Sequence, residues 1–196
     1  LDFHVDEGLD QGLDGLDLIV EVAREMRQQG PVLCGHACSL AARPKAYVAR
    51  VADGLAETGI AVAALPTTNL YLQGRGPGTP DRRGLTRIHE LIQRGVDVIV
   101  GTDNVRDAFC PIGQHDPRHS LSLAVLAAHL DPPFAAHLPM ITTTARTARG
   151  RPGQTVDDAA MTDLIAFDAP DTATLLSGAP APKPLTDFVK GETCHG

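Results

Sequence analysis

The chain has 196 residues, 43% of them apolar, and a formal net charge of −7 at neutral pH. That length suits one ordinary domain, and the acidic balance excludes a nucleic-acid surface, which needs clustered Lys and Arg. No apolar run approaches the ~20 residues that span a bilayer, no signal peptide opens the chain, and 4% aromatics with no Trp leave an aliphatic core.

Leu1 to His4 reads as a strand that begins abruptly without an initiating Met, so further chain upstream is expected. Leu16 to Gln29 has apolar residues at helical spacing and stops at Gly30. Pro31 to Gly35 gives a second strand, and Lys45 to Glu57 a helix that ends near Gly59. Ile60 to Leu65 is apolar throughout, as a strand buried on both faces is. The polar stretch Gly74 to Arg82 reads as a loop, Leu85 to Arg94 as a helix, Val96 to Val100 as a strand and Ser120 to His129 as a helix. Strands alternating with helices predict βα units around a parallel sheet. Leu138 to Arg149 looks helical, and Arg151-Pro152-Gly153 breaks it. Beyond lie two strand-like pieces, Asp163 to Phe167 and Leu185 to Lys190, separated by a proline-rich loop.

Three strand ends carry chemistry. In a parallel barrel, catalytic groups gather at the C-terminal ends of several strands. His4-Val5-Asp6-Glu7 places an imidazole three residues before a carboxylate, a pairing that suits a metal-activated water with a proton shuttle. On spacing alone it reads more readily as a polar, solvent-facing strand end. Asp103 follows the apolar run to Val100, where a carboxylate is costly unless a cation or hydrogen bonds satisfy it. Asn104, Arg106 and Asp107 extend that loop over the same mouth. Cys34-Gly35-His36-Ala37-Cys38 would present three ligand-type side chains on one side of an extended chain; a structural zinc, a hydrogen-bonded core histidine and a catalytic histidine all remain open. Asn69 and Gln73 offer amides fit for the edge of a heterocycle, or merely cap the sheet. The other histidines within the first 150 residues (His89, His115, His119, His129 and His137) read as surface or structural. The four cysteines show no CxxC spacing, which suits reduced thiols in the cytoplasm.

Taken together, HVDE at 4–7, the strand-end Gly35-His36, LQGR at 72–75, RRGLTRIHEL at 82–91, GTDNVRDAFCPIG at 101–113 and ITTTAR at 141–146 resemble the cytosine deaminases of the amidohydrolase superfamily. The resemblance implies an α/β fold: strands five to eight of a (β/α)8 barrel over residues 1–150, and strands of a small β-sandwich over 151–196. It implies pyrimidine metabolism, with hydrolytic deamination of cytosine or a related aminoheterocycle by a metal-bound hydroxide. One divalent ion, Fe2+ or Zn2+, would be held by His4 and Asp103. Glu7 would be the proton shuttle, His36 would contact the attacking water, and Asp103 would also orient it. Gln73, Asn104 and Phe109 would line the substrate. The family's other two metal ligands form a His-x-His pair, which this chain lacks. A small aminopyrimidine-like substrate and a homo-oligomer are expected, without nucleic acid or membrane. The alternatives are an amidohydrolase acting on another cyclic amidine or N-substituted amine, and a non-catalytic half-barrel. Cytosine deaminases commonly carry a second acid where this chain has Asn104, and often a Trp where it has Phe109.

Overall fold

Four short strands, β1 (Asp2–Val5), β2 (Leu33–His36), β3 (Ala61–Ala64) and β4 (Val98–Val100), pair in parallel in chain order. The computed structural model describes residues 1–189. Parallel neighbours need a long crossover between them. Here α1 (Gly15–Met26) and α2 (Lys45–Thr58) supply the first two, and α3 (Pro66–Leu72) with α4 (Ile88–Gln93) the third. Helix α5 (Pro117–Ala128) follows β4.

The strands alternate between two faces, as a period of two requires. Cys34, Val62, Ala64, Val98 and Val100 join Leu16, Val20, Val51, Leu55 and Leu91 of the helices in one aliphatic core. On the opposite face Ala61, Ala63, Leu65 and Ile99 form a smaller cluster, met by Ala148 at the end of α6 (Thr143–Thr147). The register carries one row straight across the sheet, His4 to Gly35 to Ala63 to Ile99. Among the described residues nothing pairs with the outer side of β1. Beside that edge Leu1, Leu18, Val22 and Met26 stay exposed.

Several boundaries differ from those expected. Helix α1 stops at Met26 because Arg27 itself adopts the left-handed conformation (φ 48°), and Gln28 N–H closes the end on the Ala23 carbonyl; Gly30 is not the stop signal. Helix α4 begins only at Ile88, because Thr86 is engaged with the His36 carbonyl. Pro66 to Leu72 is a helix rather than a loop, and its signal was Pro66 in the first turn. In the tail, β5 (Ile165–Ala166) pairs with β6 (Lys183–Pro184) in antiparallel fashion. The expected strand from Leu185 does not form. Leu185 N–H still reaches the Leu164 carbonyl, but the partner chain then turns through Met161–Asp163, and Thr186–Val189 coils into a short helix. Lys190 lies outside the described residues. Arg118 fastens the tail to α5: it pairs with Asp116, donates to the Ala179 and Pro180 carbonyls and covers the Phe167 ring.

The turn after β1 is fixed by Asp6. This buried residue, at φ 51°, accepts from the backbone N–H groups of Gly15 at 3.0 Å and Leu16 at 3.2 Å, capping α1 from a distance in sequence. A Cβ on Gly15 would lie 2.5 Å from Val5 Cγ2 and 2.7 Å from Asp6 Oδ1. Gly15→Ala should therefore destabilise the protein by about 1–3 kcal/mol, the usual cost of overpacking. A denaturation midpoint equal to that of the parent would show that the cap is not rigid.

Candidate active site

Sharp backbone turns, not regular strand geometry, deliver the site residues. Asp6, His36, Ala37 and Asp103 all have φ between 51° and 74°, the left-handed region that side chains rarely occupy. Such strain, about 1–3 kcal/mol per residue, persists where the surroundings over-determine it and clusters at functional sites. Strict alternation would place His36 with Cys34 on the helix side of the sheet. At φ 74° it has left the regular strand path, and its ring meets His4 on the neighbouring strand.

The structure brings His4, His36 and Asp103 together. His4 Nδ1 and His36 Nε2 are 2.9 Å apart, and the candidate donor atoms of the three residues lie within 4.8 Å of one another. The His36 side chain is buried, and its other nitrogen, Nδ1, lies 2.9 Å from Asn69 Oδ1 and 3.7 Å from Glu7 Oε1. Thr86 Oγ1 donates to the His36 carbonyl at 2.7 Å. His4 is exposed, and the Glu7 side chain keeps 41% of its surface open to solvent. Glu7 therefore sits at the rim, between the buried ring and the outside.

A metal fits this donor set. Donors that share one ion at ~2.0–2.2 Å each stand within ~4.4 Å of one another, so only a small adjustment separates the present arrangement from a ligating one. Asp103 Oδ2 is buried without a hydrogen-bond partner, a costly state that a cation relieves. The three groups are two imidazoles and a carboxylate, a set that zinc and iron(II) both accept.

The substrate-side candidates fare differently. Asn104 backbone N–H donates to Thr68 Oγ1, and its side-chain Nδ2 is bonded to Asp107 Oδ2 at 2.5 Å. That bond uses one of the two amide N–H donors and leaves the amide oxygen and the other N–H to read a ligand. Asp107 also accepts from the backbone of Phe109 and Cys110, and the Cys110 bond is foremost in holding its carboxyl below the usual carboxylate range. Phe109 is 60% exposed. Gln73 ends α3 and packs against Gly84. The residue missed as a support is Asn69, which lies beneath His36. Its only signal was an amide in a helix opened by Pro66.

The cysteines do not join the cluster. Ala37 turns left-handed and Cys38 starts a 3-10 turn, so Cys34, His36 and Cys38 share no extended face. Among the described residues the metal-type grouping contains no cysteine; Cys194 lies outside them. Burial above all pushes the Cys34 and Cys38 thiols up to about 12, with Glu7 and Asp103 adding to the effect at Cys38.

The chain belongs to the amidohydrolase family, whose profile it matches over residues 1–174. It is 40% identical over 153 residues to the pterin deaminase of Rhizobium rhizogenes, covering 78% of this chain and 35% of that protein. Two structures of 5-methylcytosine deaminase from Klebsiella pneumoniae, one with 5-fluorocytosine and one with phosphonocytosine, align with TM-scores of 0.79 and 0.78. Identity is 25%, and the match covers 94% of this chain and 46% of theirs. N-isopropylammelide isopropylaminohydrolase from Burkholderia multivorans shares the fold at 23% identity, with a TM-score of 0.68 over 90% of this chain and 43% of its own. The chain thus spans about a third to a half of the length of these relatives.

The raised thiol values carry a pH sign. Below the ordinary thiol value of 9.0 both states keep Cys34 and Cys38 protonated; above it the unfolded chain ionises first, so stability is lost as pH rises from 9.0 towards about 12. Both thiols should resist iodoacetamide at pH 8 in the native protein and react after denaturation, as read by peptide mass spectrometry. Rapid native labelling of either would mean the thiol is not buried as described.

Proposed function

We propose that this chain is the catalytic half of a metal-dependent hydrolase that deaminates an amino-oxo heterocycle. The observation that carries the reading is the convergence of His4, His36 and the unpartnered Asp103 oxygen, with Glu7 at the rim. The deaminases among the relatives support it. In pterin and in cytosine alike, the amine-bearing carbon is joined to a ring nitrogen that is itself bonded to a carbonyl carbon, so one chemistry serves both rings. The 40% identity to a pterin deaminase, and Asn104 in place of a second acid, favour the fused ring over cytosine.

His4 and Asp103 would hold the ion, Fe2+ or Zn2+. When bound, it supplies Lewis acidity that makes water a nucleophile at neutral pH. The protein's own groups do the rest. His36 Nε2 accepts a hydrogen bond from the attacking water, and Asp103 orients it. The water oxygen bonds to the amine-bearing carbon; Glu7 passes the water's first proton to the ring nitrogen and its second, taken from the new hydroxyl, to the departing amine. The carbon–nitrogen bond breaks, ammonia leaves, and a ring carbonyl remains. Partial exposure of Glu7 suits this task, because one carboxylate must reach several atoms in turn. Asn104 Oδ1, Gln73 and Phe109 line the substrate side.

We infer further that β1 to β4 are strands five to eight of an eight-stranded barrel, and that β5–β6 begin its β-sandwich. The sequential parallel order, the unpaired β1 edge and the share of the relatives' length support this. On this reading residues 1–150 belong to the barrel and 151–196 to the sandwich, and the remaining metal ligands come from a preceding half. The 196-residue chain expressed alone should aggregate, because exposed strand edges and apolar patches associate. A soluble monomer with one cooperative melt would contradict the half-barrel.

The complete polypeptide should release ammonia from pterin, with a higher kcat/KM than for cytosine. General acid-base groups contribute ~10²–10⁴-fold, so Glu7→Gln should lower kcat at least that much while metal content stays at the parent level. Asp103→Ala should instead lose metal, as read by elemental analysis. No ammonia from any aminoheterocycle, or near-normal turnover by the Glu7 variant, would sink the assignment.

A further inference from the structure

Asn69 is wholly buried in α3, and its side chain is only half satisfied. Its oxygen meets His36 Nδ1 at 2.9 Å, while its Nδ2 has no partner. A buried donor left unmade costs about 1–3 kcal/mol, and one neutral hydrogen bond returns about 0.5–1.5 kcal/mol. Stability alone would favour an apolar residue of similar volume here. The bond has another consequence.

An amide oxygen can only accept, so the bond places the proton on His36 Nδ1. In the neutral ring Nε2 is then bare, and Nε2 is the atom 2.9 Å from His4 Nδ1. The Glu7 carboxylate, 3.7 Å from the same Nδ1, favours the same tautomer. The His36 backbone is held independently, by the Thr86 hydroxyl on its carbonyl and by its left-handed φ. With ring and backbone packed, the remaining freedom of His36 is which nitrogen carries the proton.

We propose that Asn69 is a positioning residue that holds His36 as the Nδ1–H tautomer, so that a bare Nε2 faces the space shared with His4 and Asp103. Its effect on rate rests on the deaminase reading above; the tautomer does not. Groups that orient an active-site imidazole in this way typically affect metal affinity or activity by ~10–100-fold when removed.

The test is made on the complete polypeptide, metal-free and labelled with ¹⁵N-histidine. Long-range ¹H–¹⁵N correlations distinguish the two tautomers, and the His36 signals are those lost in His36→Gln. The parent should show Nδ1–H. Asn69→Asp, which keeps an acceptor, should show the same and retain most of kcat. Asn69→Leu should move the proton to Nε2 and lower kcat by ~10–100-fold with little change in KM. A purely structural role would lower the Tm of both variants and leave the tautomer unmoved. Nε2–H in the parent, or an unchanged tautomer and kcat in Asn69→Leu, overturns the proposal. Should Asn69→Leu fail to fold, the parent and Asn69→Asp tautomers decide it. Should the protein deaminate nothing, the NMR result still stands, so the two readings fail separately.

Discussion

Parallel pairing without an offset is the constraint on which the rest of the structure depends. Because β1, β2, β3 and β4 share one direction and one row of partners from His4 to Ile99, their C-terminal ends open on the same side of the sheet. A parallel sheet buried under helices must be apolar along its strands, so polar chemistry is displaced to the residues just past them. Glu7 and Asp103 lie just past their strands, and His4 and His36 within the last two positions of theirs. An antiparallel sheet of the same strands would scatter them between two edges.

The mouth is held by groups that do no chemistry themselves. Asp6 fixes the first turn by capping α1, Thr86 fixes the second through the His36 carbonyl, and Thr68 fixes the fourth through the Asn104 backbone. Each is buried and each comes from a different segment. The left-handed residues beside them are tolerated because these bonds leave the chain no relaxed alternative. Beneath, the aliphatic core of α1, α2 and the strands supplies the stability against which that strain is set.

Much of this was legible in the sequence. Apolar runs marked β2, β3 and β4, because nothing but a doubly covered strand tolerates Ile60 to Leu65 without a polar residue. The strand-end motifs marked His4, Glu7, His36 and Asp103, because carboxylates and imidazoles at such places need a reason to be there. Other features depended on partners far away in sequence. Asn69 was open to reading a ligand's edge until the fold set it under His36, and Asn104 looked free until Asp107 engaged its amide. Helix α3 was hidden by Thr67 and Thr68, poor helix formers that are buried here for other reasons. The strand expected from Leu185 failed because its partner turns away at Asp163, a tertiary event that no local pattern records.

In the proposed hydrolase His4 and Asp103 bind one divalent ion beside His36. Anomalous diffraction at the metal edge, on crystals of the complete polypeptide, tests it most directly. The account predicts a single strong peak within ~2.0–2.2 Å of a His4 ring nitrogen and an Asp103 carboxylate oxygen, with His36 Nε2 facing it. A stoichiometric metal bound elsewhere, with His4 and His36 still hydrogen-bonded to each other, would contradict it.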